Sequence, residues 1–287
     1  MKRQELSDSF RVLMILLLFS FAYFIPFLNI FILFVWPIPV IYIYVRYRVN
    51  TVMWLILIVA LINSLLFSPY MGLVSIIGFG FIGFVIGGSI KERLSPYKTL
   101  LVSIVVTLIS QVLLIAISYY FLNLDFNTLI DLVNDFFSRN PEFSDYRQLF
   151  ELQLQLIKQI LPALFVISSI ITGTVYYYLT LIYLNKAGFD IEMFLPVEYW
   201  HFPVRIILPG LIITLLLRSN IIMANLFYVL IFFSFLQGFA VGLYYLKKKT
   251  TNIILIVLYI LIVSILPVFP LLIIGGLFDM IFNFRNL

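Results

Sequence analysis

The chain has one histidine, His201, in the run Glu198-Tyr-Trp-His201-Phe-Pro203. A carboxylate three residues from an imidazole is the raw material of an acid–base dyad. The same run has a second reading: Tyr199 and Trp200 are residue types that gather at membrane–water boundaries, which places His201 at headgroup level. A lone histidine rules out a multi-histidine metal centre. The absence of cysteine removes disulfides, thiolate ligands and cysteine nucleophiles. No Walker sequence, metal-ligand cluster or nucleophile motif occurs. The residues therefore point to a protein that is not an enzyme, with no catalytic group, no metal and no cofactor. Asp279, with Arg285 beyond it, reads as an interfacial pair or a helix cap.

The remaining polar chemistry is neutral. Asn63, Gln111 and Thr172, with the tyrosines Tyr176, Tyr177 and Tyr178, stand inside otherwise apolar stretches. Amides and hydroxyls in such places bond across helices as glue, at about 0.6–2 kcal/mol each. Alternatively they line a mid-membrane pocket for a neutral, partly aromatic or lipidic ligand, and Asn63, Gln111, Thr172, Tyr176 and Tyr177 are the candidate ligand contacts. Proton-coupled pumps need a carboxylate or histidine at mid-membrane, and the first six apolar stretches hold none. Glycines form a second pattern: Gly80, Gly83 and Gly87 in one stretch, Gly238 and Gly242 in another. Two of these spacings are GxxxG, which lets helices approach closely in lipid. Packing within the chain, approach to a ligand and contact with a partner membrane protein are the three uses open to them.

These residues must be positioned by elements that contain almost no charge. Seven runs lack Asp, Glu, Lys, Arg and His: Val12–Val45, Val49–Ile90, Thr99–Leu124, Gln159–Asn185, Ile206–Leu217, Ser219–Leu246 and Thr250–Phe278. A soluble surface cannot be built from them. A bilayer span can, because a charge at mid-membrane costs about 2.5–3.5 kcal/mol on insertion scales. The chain is 63% hydrophobic and 11% charged, with mean hydropathy +1.14. The fold class is all-α, a polytopic transmembrane helical bundle set in the lipid bilayer.

A span needs about 20 apolar residues. The runs divide at Pro26–Asn29 and at Ser68-Pro69, with Pro37 and Pro39 inside the second span and Pro162 in the first turn of the sixth. This gives eight to ten spans, about nine, the ninth being Asn252–Phe269. Leu271–Phe284 reads as a re-entrant or an interfacial piece. The net charge of +5 reads as an orientation signal and not as nucleic-acid binding, since no basic stripe lies beyond the membrane borders. On this map Arg139, Arg147, Lys158, Arg218 and Arg285 are the only ones of the 18 Lys and Arg residues placed outside. The N-terminus is then cytoplasmic, in a bacterial inner membrane. Lys2-Arg3 before an apolar run imitates a signal peptide, but the run continues to Val45 and reads as an uncleaved first span.

The one sizeable segment outside the spans is 123–158. It carries Asp125, Asp131, Asp135, Glu142, Asp145 and Glu151. Phe126, Leu129, Ile130, Val133, Phe136 and Phe137 recur at helical spacing. Asn140-Pro141 ends that helix, and Tyr146, Leu149, Phe150 and Leu154 begin another that runs into span six. The segment is either an interfacial hairpin on the outer leaflet or a lid over a site that opens outward.

Three passages carry a family resemblance: Trp36-Pro-Ile-Pro39-Val followed by Tyr47-Arg48; Phe194-Leu-Pro196 with Trp200-His-Phe-Pro203; and Gly276-Leu-Phe-Asp279 running on to Arg285. Through them the chain resembles the YybS-like family of uncharacterised bacterial membrane proteins, over its full length. The first six spans, with a Pro-bounded second span and a Gly-rich fourth ending in Lys91-Glu-Arg93, are similar to the substrate-binding S components of energy-coupling-factor transporters. That likeness implies an S-component-like six-helix core over 1–186, with the amphipathic loop 123–158 outside and C-terminal membrane helices over 187–287, all in one integrated membrane domain. Such subunits carry an alanine-x-x-x-alanine pattern in span one; here that region reads Leu16-Leu-Leu-Phe-Ser20-Phe-Ala22. The expected function is binding or transport of a small neutral or lipid-like molecule. The alternative is a non-catalytic scaffold that assembles other membrane proteins.

Overall fold

Proline and serine punctuate the apolar runs, and the helices start where they stand. The computed structural model describes residues 2–122, 126–265 and 267–287, in which every regular element is helical. Expectations for Asn123 to Asp125 therefore fall outside the described residues. The elements are α1 (Lys2–Ala22), α2 (Leu28–Val35), α3 (Pro37–Arg46), α4 (Val49–Leu66), α5 (Pro69–Val74), α6 (Phe81–Lys91), α7 (Pro96–Leu122), α8 (Phe126–Arg139), α9 (Arg147–Lys186), α10 (Val204–Leu216), α11 (Ile221–Lys249), α12 (Ile253–Ile265) and α13 (Phe269–Phe282). Pro37 and Pro69 open α3 and α5, where a missing N–H costs nothing. Ser68 caps α5 by accepting the Met71 N–H. A π-helical turn, Ser75–Gly80, joins α5 to α6.

Among the described residues, six helical stretches are long and apolar enough to cross a membrane: Leu28–Arg46, Val49–Leu66, Pro69–Lys91, Pro96–Leu122, Arg147–Lys186 and Ile221–Lys249. The chain is a polytopic helical bundle. α1 has 21 residues, but its first half carries Lys2, Arg3, Glu5, Asp8 and Arg11. α9 has 40 residues, about 60 Å of helix, roughly twice a bilayer's hydrocarbon thickness.

The chain divides into two compact units: residues 1–148 with 168–194, and residues 149–167 with 195–287. In the first, Trp36 at the α2–α3 junction is stacked on Phe79 (4.1 Å between centroids, 3° between planes), and Phe19 and Tyr23 meet it edge-on. Because lipid is as apolar as these rings, packing here is held by close fit and polar links, not by expulsion of water. Glycine supplies the fit. A Cβ on Gly83 would stand 2.7 Å from Val40 Cβ, and one on Gly87 would be 2.7 Å from Tyr44 Cβ, so α6 rides directly on α3. Gly80 lies against Ile56 of α4 in the same way.

In the second unit α9 meets a difficulty of its own making. Pro162 was expected in a first turn; it lies inside the helix, because α9 begins at Arg147. A proline there breaks the hydrogen-bond ladder. Asn225 of α11 repairs it: its Oδ1 accepts the Ala163 N–H (2.9 Å) and its Nδ2 donates to the Gln159 carbonyl (2.8 Å).

α12 and α13 have 13 and 14 residues, about 20 Å each, too short to cross about 30 Å of hydrocarbon. They pack as a hairpin against α11. Tyr259 of α12 donates to the Phe239 carbonyl; Phe269, at the start of α13, stacks on Phe235; Tyr245 donates to the Phe284 carbonyl on the way back. Gly238 and Gly276 make the seam. A Cβ on Gly238 would overlap the Leu272 carbonyl, and one on Gly276 the Ser234 carbonyl. Gly242 sits under the Tyr259 hydroxyl. Arg285, expected at the opposite border from Lys247, is thus returned to the Lys247 end of α11.

Candidate functional site

The basic ends of α3 and α6 converge with the segment that follows α9, and a cavity of about 710 Å³ opens between them. α6 closes with Arg93 in the left-handed conformation (φ 54°), as Arg93 and Leu94 donate back to the carbonyls of Ile90 and Ser89. That conformation costs an L residue roughly 1–2 kcal/mol. It turns the chain sharply into Ser95-Pro96 and the first turn of α7. Lys91 reaches across and donates to the carbonyls of Tyr44 (2.9 Å) and Tyr47, where a cation complements the C-terminal end of α3. Its ammonium lies 5.5 Å over the Tyr44 ring.

The facing segment is fixed just as firmly. Asn185 clamps Ile191 twice, donating to its carbonyl (2.9 Å) and accepting its N–H (2.7 Å). Three residues on, the Phe194 N–H donates to the Tyr177 hydroxyl (2.7 Å). Asp190 and Glu192, on either side of the clamp, line the cavity and are exposed. The lining holds two cations, Lys91 and Arg93, and two anions, over a floor that includes Tyr177, Leu181 and Phe189. Among the described residues neither Arg93, Asp190 nor Glu192 has an ion-pair partner. The arrangement suits a molecule with charges of both signs and no net charge.

Beside the cavity, Asp8 of α1 accepts from the Tyr47 hydroxyl (2.6 Å) and lies 3.6 Å from Arg46. Burial pushes the Tyr47 hydroxyl up to about 12, and the bond to Asp8 adds to the shift.

The second unit has a buried polar centre. Gln237 of α11 donates through Nε2 to Asp279 Oδ2 (2.6 Å) and lies 3.1 Å from His201 Nδ1; its Oε1 accepts the Phe202 N–H (3.0 Å). Arg285 pairs with Asp279 (2.9 Å), both fully buried, and donates to the carbonyls of Glu198 and Trp200. Glu198 turns to Lys247 instead (2.6 Å). His201 and Glu198 thus take different partners, Gln237 and Lys247.

Of the residues expected to line a mid-membrane pocket, Asn63, Gln111 and Tyr176 hydrogen-bond to neighbouring elements. Asn63 is fully buried and donates to Ser20 of α1 (2.8 Å) and to Ser75 of the π-helical turn (2.7 Å). Gln111 accepts from Ser168 (2.9 Å), and Tyr176 donates to the Leu33 carbonyl (2.9 Å). Thr172 is half-buried. Tyr177 lines the cavity described above, and the other four do not. Residue spacing does not single out Gly173, Asn185 or Asn225. Gly173 lets α9 touch α7, where its carbonyl accepts from Ser103 (2.6 Å).

Comparison with known protein families gives a match. Residues 12–280 fit a family described as "Predicted membrane protein (DUF2232)". No curated protein and no solved structure matches. Since the fit covers most of its length, the chain belongs to that family.

Proposed function

We propose that this member of the DUF2232 family of predicted membrane proteins binds a small, net-neutral molecule carrying charges of both signs, and does so at the basic end of its first unit. The observation that carries this reading is the cavity of about 710 Å³, into which Lys91 and Arg93 come from one chain segment and Asp190 and Glu192 from another. Such a lining rejects net anions and net cations alike, and the tyrosine and phenylalanine of the floor accept an apolar portion. A neutral ligand agrees with the absence of charge from the spans. The positive-inside rule supports an orientation in which Arg46, Arg48, Lys91, Arg93, Lys98 and Lys186 face the cytoplasm of a bacterial cell and the cavity opens there. Transport across the membrane is the fuller form of the same proposal.

A charge-assisted hydrogen bond contributes about 1.5–3 kcal/mol, so removing one charge should weaken binding by roughly 10-fold or more. Mass spectrometry of the intact chain, released from mild detergent, should find a stoichiometric net-neutral small molecule. Arg93→Gln and Asp190→Asn should each lose it. Recovery of bulk lipid alone, unaltered by either change, would sink the reading.

A further inference from the structure

We propose that the groove between α1 and α4 is a binding site for one membrane phospholipid whose headgroup carries a free ammonium. The groove belongs to the first unit, encloses about 800 Å³, and is separate from the solute cavity. Its walls are Phe10 and Leu13 from α1 and Trp54, Leu55 and Ile58 from α4. Trp54 and Phe10 are largely exposed, so in a bilayer the groove faces lipid.

Its polar residues are confined to one end. Glu5, Ser7 and Ser9 stand in the first turns of α1, and Thr51 in the first turn of α4. From Glu5 to Leu13 is eight residues, about 12 Å along the helix. The groove therefore has a polar mouth at headgroup level and an apolar trough running inward, the pattern of a lipid's own cross-section. Among the described residues Glu5 is its only charged lining residue. The Thr51 hydroxyl donates to Glu5 Oε1 at 2.6 Å, which holds the carboxylate at the mouth, and its other oxygen has no hydrogen-bond partner among the described residues.

Ser9 supplies the independent sign of a ligand. Its hydroxyl is buried and has no hydrogen-bond partner among the described residues, although buried polar atoms nearly always have one. It lies one helical turn inward from Glu5, about 6 Å deeper. A phospholipid presents its ammonium outermost and its phosphate and ester oxygens just below. The ammonium meets Glu5, an oxygen beneath it accepts from Ser9, and one tail follows Phe10 and Leu13 against Trp54 and Ile58. A choline headgroup has no N–H to donate to Glu5. A glycerol headgroup brings only negative charge, which Glu5 repels.

The full-length chain, delipidated in mild detergent, can be titrated with phosphatidylethanolamine, phosphatidylcholine or phosphatidylglycerol in mixed micelles and the retained lipid counted by native mass spectrometry. The ethanolamine lipid should be retained about tenfold better than the other two. Glu5→Gln should erase that preference, since glutamine still accepts from Thr51 and keeps the helix contact. Ser9→Ala should weaken retention of the ethanolamine lipid while leaving the fold intact. Equal retention of the three lipids by the unaltered chain, or an ethanolamine preference that survives Glu5→Gln, would overturn the proposal. The solute site fails separately, since Arg93→Gln and Asp190→Asn should leave lipid preference unchanged.

Discussion

Gln237 and Asp279, both fully buried, lie 2.6 Å apart, amide nitrogen to carboxylate oxygen. This contact fixes the orientation of the amide. Asp279 can only accept and the Phe202 N–H can only donate, so Nε2 must point to the carboxylate and Oε1 to the backbone. The nitrogen's second hydrogen then faces His201 Nδ1, which must offer a lone pair. One glutamine thereby joins α11, α13 and the loop before α10.

The pair Asp279–Arg285 is the first place to test that junction. Asp279→Asn leaves a buried guanidinium without its counter-charge and should lower stability by about 3–5 kcal/mol. Replacing both, as in Asp279→Asn with Arg285→Met, should cost less than the single change. Thermal unfolding in detergent reads both, and a double variant less stable than Asp279→Asn would contradict the account.

Asn225→Leu should orphan the Ala163 N–H and the Gln159 carbonyl, each worth about 1–3 kcal/mol when buried. Pro162→Ala should rescue much of the loss, because a straightened α9 can join those two groups directly. A double-mutant cycle on unfolding free energies measures the coupling; simple additivity would show that Asn225 does not serve the proline.

Two glycines, Gly238 of α11 and Gly275 of α13, make a matched comparison. Gly238→Ala drives a methyl into the Leu272 carbonyl, whereas a methyl at Gly275 meets nothing within 4 Å. The first should destabilise by at least about 1–3 kcal/mol. The second should be neutral, or stabilising by roughly 0.5–1 kcal/mol, through the alanine's better helix propensity. Equal melting temperatures for the two variants would argue against the seam.

The return of Arg285 to the Lys247 end of α11 has a topological consequence. The chain has no cysteine, so single cysteines at Lys248 and Asn286 can be labelled without background. An impermeant thiol reagent should reach both from the same side of the membrane. Labelling from opposite sides would mean that α12 or α13 spans.

Tyr47 gives a pH prediction. Its hydroxyl is raised from the usual 10 to about 12 by burial and by Asp8. A raised pKa stabilises the fold through the protonated form. The contribution is complete below about pH 10 and fades as pH climbs through 12. Tyrosinate absorbance should lose one late-titrating tyrosine in Tyr47→Phe relative to the unaltered chain.

Much of the architecture could be read along the chain. Charge-free runs predicted apolar helices, Ser68-Pro69 predicted a break and a cap, and Asn140-Pro141 predicted the end of α8. These signals are local: a proline or an N-cap acts within one turn, and hydropathy acts within one span. Pro162 misled because the helix that follows Tyr146 extends unbroken through it, with help from a residue 63 positions away.

The sequence by itself determined that this is a polytopic membrane protein, which stretches are helical and where its charges gather. The tertiary structure alone decided what each polar residue is for. It sent Asn63 to Ser20 and Ser75, paired Arg285 with Asp279, and gathered Arg93, Asp190 and Glu192 around a cavity. The reason is that both faces of a helix in lipid are apolar. Hydrophobic periodicity then carries little information about which face turns inward, and the rotation of each helix is set by contacts between residues far apart in the chain.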